Sequence, residues 1–345
     1  MTHTSPVEPG KVKVLVVDDS YFMRKVISDL LDSDPDIEAV GQAADGVEAL
    51  ELIEKLQPDV ITLDLIMPKM NGFAILEKLD MTKDPPAIIM VSAYTSSDTG
   101  IVLDCLSMGA ADFVLKPSES NSDKIKEIRK ELCIKVKNAA DARAKHKTYA
   151  SHSAITEEVA HNCSVLVIGS STGGPLALGE LLPRLPGTLP YPVLVAQHMP
   201  AQFVESLTER LDQSSQLKIR TGRDGDVVMP GFIYFAPGGA HTEVVKNSAG
   251  QVVLKVTESS DTLTPSVDKL MESVARVYGD TALAVILTGM GDDGLSGMAA
   301  IKAAGGHTLV QDAQSSVVYG MGRVVAEGGF ADEVLSLNQI GLRIR

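Results

Sequence analysis

VKVLVVDDSYFMRKVISDLL, residues 12–31, holds two patterns back to back. The run VLVV is continuously apolar, as in a strand buried on both faces of a sheet, and it ends in two aspartates. From Ser20 the period changes. Phe22, Val26, Ile27 and Leu30 recur at helical spacing, which predicts a helix over 20–31. The same alternation then repeats. Strands are expected at 37–43, 59–65, 87–93 and 111–117, with a second helix over 46–56. Five strands alternating with helices predict a doubly wound parallel sheet of the α/β class.

Further along, NAADARAKHKTYASHSAITEEVAH (138–161) lacks a strong apolar stripe. Its first part extends a final helix, and the remainder reads as a polar linker. SVLVIGSSTGG (164–174) opens a second domain with another buried strand. A strand at 191–198 and a helix over 202–211 follow. Between 217 and 257 the runs KIR, FIYFA, EVVK and VVLKV are separated by Gly, Asn and Ser, which is hairpin patterning. Helical spacing returns over 265–278. ALAVILTGMGDDG (282–294) is a strand entering a Gly-rich turn, followed by a helix over 295–304 and a strand at 307–312. The expected architecture is two doubly wound parallel-sheet domains, the second with an antiparallel hairpin insertion. The boundaries are 1–137, a linker at 138–162, and 163–345.

A chain of 345 residues with 44% hydrophobic side chains suits two packed domains. Aromatics are 4% and Trp is absent, which argues against platforms that stack bases. The net charge of −14 divides evenly between residues 1–150 and 151–345, so neither half is built to neutralise a phosphate backbone. Nucleic acid is therefore not an expected partner. Cys105, Cys133 and Cys163 form no CxxC pair and read as reduced thiols. The N-terminus MTHTSPVEPGKV has no apolar signal region, and no stretch approaches membrane-spanning length. A cytoplasmic location without membrane insertion is expected.

In a parallel sheet, ligands sit beyond the carboxyl ends of the strands. Asp18 and Asp19 end the first strand, Asp64 the third, Ser92 the fourth and Lys116 the fifth. Three crowded carboxylates repel each other and need a counter-ion, and hard oxygen donors suit Mg²⁺. VLVVDDS, LDLIMPKMNG, MVSAYT and FVLKP resemble, in order and spacing, the motifs of response-regulator receiver domains over about residues 11–135. The resemblance implies Asp64 as phosphoacceptor, with Asp18, Asp19 and the Ile66 carbonyl completing a Mg²⁺ site. It also implies Ser92 as the hydroxyl that follows phosphorylation, Lys116 as the phosphate-pairing lysine and Phe113 as the aromatic switch. Ile66 stands where relatives often carry Glu, which bears on the lifetime of the phosphoryl group.

Gly169-Ser170-Ser171-Thr172-Gly173 fits G-x-S-x-G after a strand, so Ser171 projects from a sharp turn before a helix. Alone, the pentapeptide fits a nucleophile and a plain or phosphate-binding turn equally well. Seven histidines could serve as base. His3 lies in the N-terminal tail, and His146, His152 and His161 lie in the linker. His241 reads as a loop residue, and His307 precedes its strand at the opposite rim. His198 follows the strand PVLVAQ at the rim that carries Ser171 and is favoured. Asp292, Asp293 and Asp312 are candidate orienting acids. Asp293 lies among glycines that allow close approach. The order Ser…His…Asp differs from that of α/β-hydrolases.

IGSSTGGPLAL, AQHMPAQFVESLTERL, GDVVMPGFIYFAPGGAH, TPSVDKLMESVA and ILTGMGDDGLSGM resemble the CheB family of chemotaxis protein-glutamate methylesterases over nearly all of residues 163–335. The resemblance implies Ser171, His198 and Asp293 as the triad, with Thr172 and Met290 as active-site neighbours, Met290 through its backbone amide. It implies a phosphorylation-activated hydrolase that removes methyl groups from receptor glutamates, deamidates receptor glutamines and needs no cofactor for the hydrolysis. Methyl-accepting chemoreceptors are its implied substrates, and a chemotaxis histidine kinase its phosphodonor. Gly322 departs from the family, which usually has Pro there, and predicts altered loop stiffness. Two other classes are weighed against this one. A DNA-binding output would call for a basic helix-turn-helix, which the acidic, strand-rich second half does not offer. A non-catalytic adaptor would be expected to lack a triad member.

Overall fold

The computed structural model describes residues 10–79, 85–92, 99–116, 122–146, 163–261 and 263–345, in two units, Met1–Ala144 and Lys145–Arg345. The first unit runs β1 (Val12–Val17), α1 (Tyr21–Asp32), β2 (Ile37–Ala43), α2 (Gly46–Leu56), β3 (Val60–Asp64), α3 (Gly72–Lys78), β4 (Ala87–Ser92), α4 (Thr99–Ser107), β5 (Asp112–Leu115) and α5 (Ser122–His146). All its strand pairs are parallel, in the order β2-β1-β3-β4-β5. Order reverses between β1 and β3, so the crevice for a ligand opens where their carboxyl ends meet. Short polar side chains start the helices. Ser20, Asp45 and Asn71 each accept a free amide of the first turn of α1, α2 and α3. The helix α5 continues to His146, so the first part of the 138–162 stretch is helical. Ala, Arg and Lys favour helix without an apolar stripe. Residues 147–162 lie outside the described residues, as do His3, the Ala93, Tyr94 and Thr95 of MVSAYT, and the Pro117 of FVLKP.

The second unit runs β6 (Val165–Ser170), α6 (Gly174–Leu181), β7 (Val193–Gln197), α7 (Ala201–Ser214), β8 (Lys218–Thr221), β9 (Phe232–Phe235), β10 (Ala240–Lys246), β11 (Val252–Glu258), α8 (Val267–Tyr278), β12 (Ala282–Ile286), α9 (Leu295–Ala303), β13 (His307–Gln311), α10 (Met321–Glu327), β14 (Glu333–Leu335) and α11 (Leu337–Arg343). Its main sheet is parallel, ordered β14-β13-β12-β6-β7-β9-β8. The central strand β6 is wholly buried, between β12 and β7.

Three expectations change here. Of the four short runs at 217–257, only EVVK and VVLKV form the antiparallel hairpin, β10 with β11. KIR and FIYF instead form β8 and β9, parallel strands at the edge of the main sheet. His241 is buried in β10 rather than placed in a loop. Gly322 lies in the first turn of α10 rather than in a loop. A Cβ at Gly322 would come within 2.8 Å of the Tyr319 ring and 2.9 Å of Val310, so glycine there admits close packing onto β13.

The hairpin seats on α8 through Val244, Leu254, Val267, Leu270 and Val274, all buried in one cluster. Ser273 Oγ accepts the Val244 amide at 2.9 Å, which fixes the register of hairpin against helix.

Candidate functional site

In the first unit, the three strand-end acids converge as the topology requires. Ligand atoms of Asp18, Asp19 and Asp64 lie within 4.8 Å of one another. Asp18 and Asp64 are buried, and Asp19 is exposed. Lys116, just past β5, places Nζ 2.8 Å from Asp18 and 2.8 Å from Asp64. Burial pushes the Asp64 carboxyl up to about 6, while Lys116 acts the other way. Burial would lower the Lys116 ammonium, but its hydrogen bonds to Asp18 and Asp64 outweigh burial and raise it. A carboxylate held against an ammonium beside two further acids has the donor chemistry that could hold a divalent cation. Gly72 is required here, because a Cβ would lie 2.4 Å from the Asp64 carbonyl oxygen.

The other positions singled out in the sequence, Ser92, Ile66 and Phe113, lie in the same unit. Ser92 ends β4 and is buried. Ile66, two residues past Asp64, leaves its side chain 62% exposed. Phe113 is buried in β5, and Lys135 from α5 stands 5.3 Å from its ring centroid while donating to its carbonyl at 2.7 Å. The motif reading missed Lys135, because a lysine on an amphipathic helix ordinarily reads as a solvated face.

In the second unit, Ser171 follows β6 directly, in a turn that closes with Gly173 at φ +79°. L-residues avoid that conformation, and glycine does not. The backbone around Ser171 is tightly held. Its amide donates to the Thr288 carbonyl at 3.1 Å, and its carbonyl accepts Gln197 Nε2 at 2.9 Å and the Gly174 amide at 2.8 Å. Gly289 presses on it, since a Cβ there would fall 2.9 Å from the Ser171 Cβ.

Strand register brings His198 alongside. Ser170 pairs with Gln197 across β6 and β7, and the His198 amide donates to the Ser170 carbonyl at 3.1 Å. Ser171 and His198 are therefore the residues that directly follow the last paired step of two neighbouring parallel strands. The turn after β12, on the other side of β6, delivers Asp293. His198 Nε2 and Asp293 Oδ2 are 2.7 Å apart, and both side chains are 7% exposed. His198 Nδ1 is buried and unpaired among the described residues. With Nε2 committed to the acid, Nδ1 is the ring atom left to receive a proton. Burial would raise the Asp293 carboxyl, but the His198 bond and the Asp268 and Val267 amides hold it below the usual carboxylate range.

The competing histidines are engaged elsewhere. His241 meets Asp261 through Nε2 at 2.8 Å and accepts the Ser266 amide on Nδ1 at 3.2 Å. His307 meets Glu333 at 2.8 Å. Thr172 is buried beside Ser171, and its carbonyl accepts the Thr288 hydroxyl at 2.9 Å. The backbone at Met290 is held by residues 318–321, with the Gly289 carbonyl accepting the Gly320 and Met321 amides at 3.0 and 2.9 Å.

The CheB methylesterase family model matches residues 166–344, and the response regulator receiver domain model matches residues 14–129. A protein-glutamate methylesterase/protein-glutamine glutaminase of Thermotoga maritima is 42% identical over 334 residues, covering 95% of this chain and 96% of that protein. The chain belongs to the CheB methylesterase family. A CheB relative with the same name from Pyrococcus horikoshii is 38% identical, covering 97% of this chain and 93% of its own. The crystal structure of the Thermotoga maritima CheB methylesterase catalytic domain aligns at a TM-score of 0.51 and 40% identity, over 53% of this chain and 97% of that domain. This likeness accords with the second parallel sheet. Among the described residues, no helix is long and apolar enough to cross a membrane.

Proposed function

We propose that this CheB-family chain is a cytoplasmic, phosphorylation-controlled hydrolase of methylated chemoreceptors. Ser171 is the nucleophile, His198 the base and Asp293 the orienting acid. The observation that carries the reading is the strand register that ends on Ser170 and Gln197, the residues just before Ser171 and His198, with the His198 ring tied to Asp293 at 2.7 Å. His198 Nδ1 takes the proton from Ser171 Oγ as the oxygen attacks the γ-glutamyl ester carbonyl. The hydrogen bond between Ser171 and His198 forms when substrate enters, as is common in unliganded hydrolases. Amides of Thr172 and Met290 stabilise the oxyanion. Methanol departs with the proton from His198. Water, deprotonated by the same atom, then hydrolyses the acyl-enzyme to glutamate. A receptor glutamine follows the same route and releases ammonia.

Asp64 is the phosphoacceptor, supplied by a histidine kinase. Asp18, Asp19, Asp64 and the Ile66 carbonyl would hold Mg²⁺, which when bound screens the charge of the carboxylates and the incoming phosphoryl group. Lys116 pairs with the phosphoryl oxygens, Ser92 moves toward them, and Phe113 responds. Asp64→Asn is expected to remove the rise in methanol release that a small phosphodonor produces, while basal release stays within about twofold, because the two sites belong to separate sheets. Full activation of this variant would place the acceptor at another acid.

The receiver restrains the hydrolase until Asp64 is phosphorylated. Domain interfaces within one chain are modest and polar, so a small change shifts them. A fragment lacking residues 1–150 is therefore expected to release methanol several-fold faster than the unphosphorylated full chain. An equal or slower fragment with a native circular-dichroism spectrum would favour a receiver that only recruits the kinase.

A further inference from the structure

The mechanism asks Asp293 to hold one position against His198, yet Asp293 sits in a turn flanked by Gly291 and Gly294, at φ +85° and +107°. Such a turn has little stiffness of its own. Its stiffness comes from α8. Asp293 Oδ2 accepts the Val267 amide at 2.7 Å in addition to His198. Oδ1 accepts the Asp268 amide at 2.9 Å and the Ser266 hydroxyl at 3.1 Å. Four donors thus surround one carboxylate, three of them from the first turn of α8, where amides and the helix dipole both favour an anion.

The tie is returned. Asp268 Oδ1 accepts the Gly294 amide at 2.8 Å and the Gly297 amide at 2.7 Å. Gly294 is the N-cap of α9 and has no side chain to cap it. Asp268 of α8 therefore caps the start of α9, and Asp293, in the turn that leads into α9, accepts the first amides of α8. The helices approach closely enough for this because position 297 is glycine, where a Cβ would lie 2.6 Å from the Met271 Cβ. Ser266 has a second anchor, its amide donating to buried His241 at 3.2 Å. Capping its own helix needs neither the bond from Ser266 Oγ to Asp293 nor the reach of Asp268 into the next turn.

We propose that Asp268 and Ser266 are positioning residues for the reaction, holding the Asp293 carboxylate in line with His198 through this exchange of caps. The proposal rests on the triad reading above. Removing the Asp268 carboxylate frees the Gly294 and Gly297 amides and loosens the turn that carries Asp293. Asp293 keeps its charge but loses its fixed aim, so kcat falls while substrate binding is spared.

The test measures kcat and KM for methanol release from methylated receptor membranes, with phosphodonor, on the full-length chain. Asp268→Ala is expected to lower kcat about 10- to 100-fold with KM within about twofold. Asp268→Asn is expected to recover kcat to within about threefold of wild type, because both accepted bonds fall on Oδ1, an oxygen that asparagine retains. Ser266→Ala is expected to lower kcat roughly tenfold, with Ser266→Thr restoring it. Wild-type kcat in folded Asp268→Ala overturns the proposal, and so does Asp268→Asn as impaired as Asp268→Ala. If Asp268→Ala does not fold, Ser266→Ala decides, and an unchanged kcat there overturns it. Ser171→Ala is run in parallel. Activity in that variant refutes the triad itself, whereas an inactive Ser171→Ala beside a fully active Asp268→Ala refutes only the positioning role.

Discussion

Ser171→Ala is expected to lower methanol release from methylated receptor membranes by roughly 10⁴- to 10⁶-fold, the range lost when a hydrolase forfeits its nucleophile. The variant should fold normally. Ser171 is held through backbone atoms, its amide on the Thr288 carbonyl and its carbonyl on Gln197 and Gly174. Alanine keeps every one of these bonds. A small phosphodonor should still phosphorylate Asp64, because the acid cluster belongs to the other sheet. The check is methanol release together with Asp64 labelling on the same preparation. Turnover near wild type would remove Ser171 from the mechanism. Loss of both activities would mean a folding defect instead.

How much of this could be read from the chain alone depended on whether the signal was local. Both parallel sheets were legible, because buried strands such as Val165–Ser170 and Val12–Val17 are apolar runs with sharp ends. Partner choice was not local. Lys218–Thr221 and Phe232–Phe235 are short, turn-bounded runs, which fit a hairpin equally well. The chain joins them as parallel neighbours through residues 222–231, a shorter crossover than parallel strands usually need. His241 was misplaced because APGGA suggests a loop, although the strand begins at Ala240.

The site followed the same division. Ser171 and His198 sit at strand carboxyl ends of one sheet, and Asp18, Asp64 and Lys116 at those of the other, so a coarse strand reading already groups each set within its own unit. Asp293 was harder to choose over Asp292 and Asp312 from spacing alone. In the fold Asp292 is exposed, and Asp312 spends Oδ1 on the Ser315 amide and hydroxyl, each at 2.8 Å. Ser266 and Asp268 gave no functional signal. A serine N-cap with an acid in the first turn is ordinary helix chemistry, and nothing nearby in the sequence shows that a second helix lies across it.

Asp293→Asn carries the second large effect, a fall in kcat of roughly 10⁴-fold with little change in KM. Asparagine matches the shape of aspartate but not its four-acceptor pattern. If its NH₂ takes the Oδ2 place, it faces two donors, the Val267 amide and His198 Nε2–H. The ring escapes that clash by moving its proton to Nδ1. In the proposed mechanism Nδ1 is the atom that accepts from Ser171, so the base would be blocked. If the NH₂ takes the Oδ1 place, it faces the Asp268 amide, again donor against donor. In either orientation the negative charge that stabilises the imidazolium is gone. The loss should persist across the working pH range. Asp293 titrates below an ordinary carboxyl, so the wild type keeps its charge until strongly acid pH. Asp312→Asn, run as a control, should stay within about threefold of wild type. A loss of less than about tenfold in Asp293→Asn, with native circular dichroism, would show that another group orients His198.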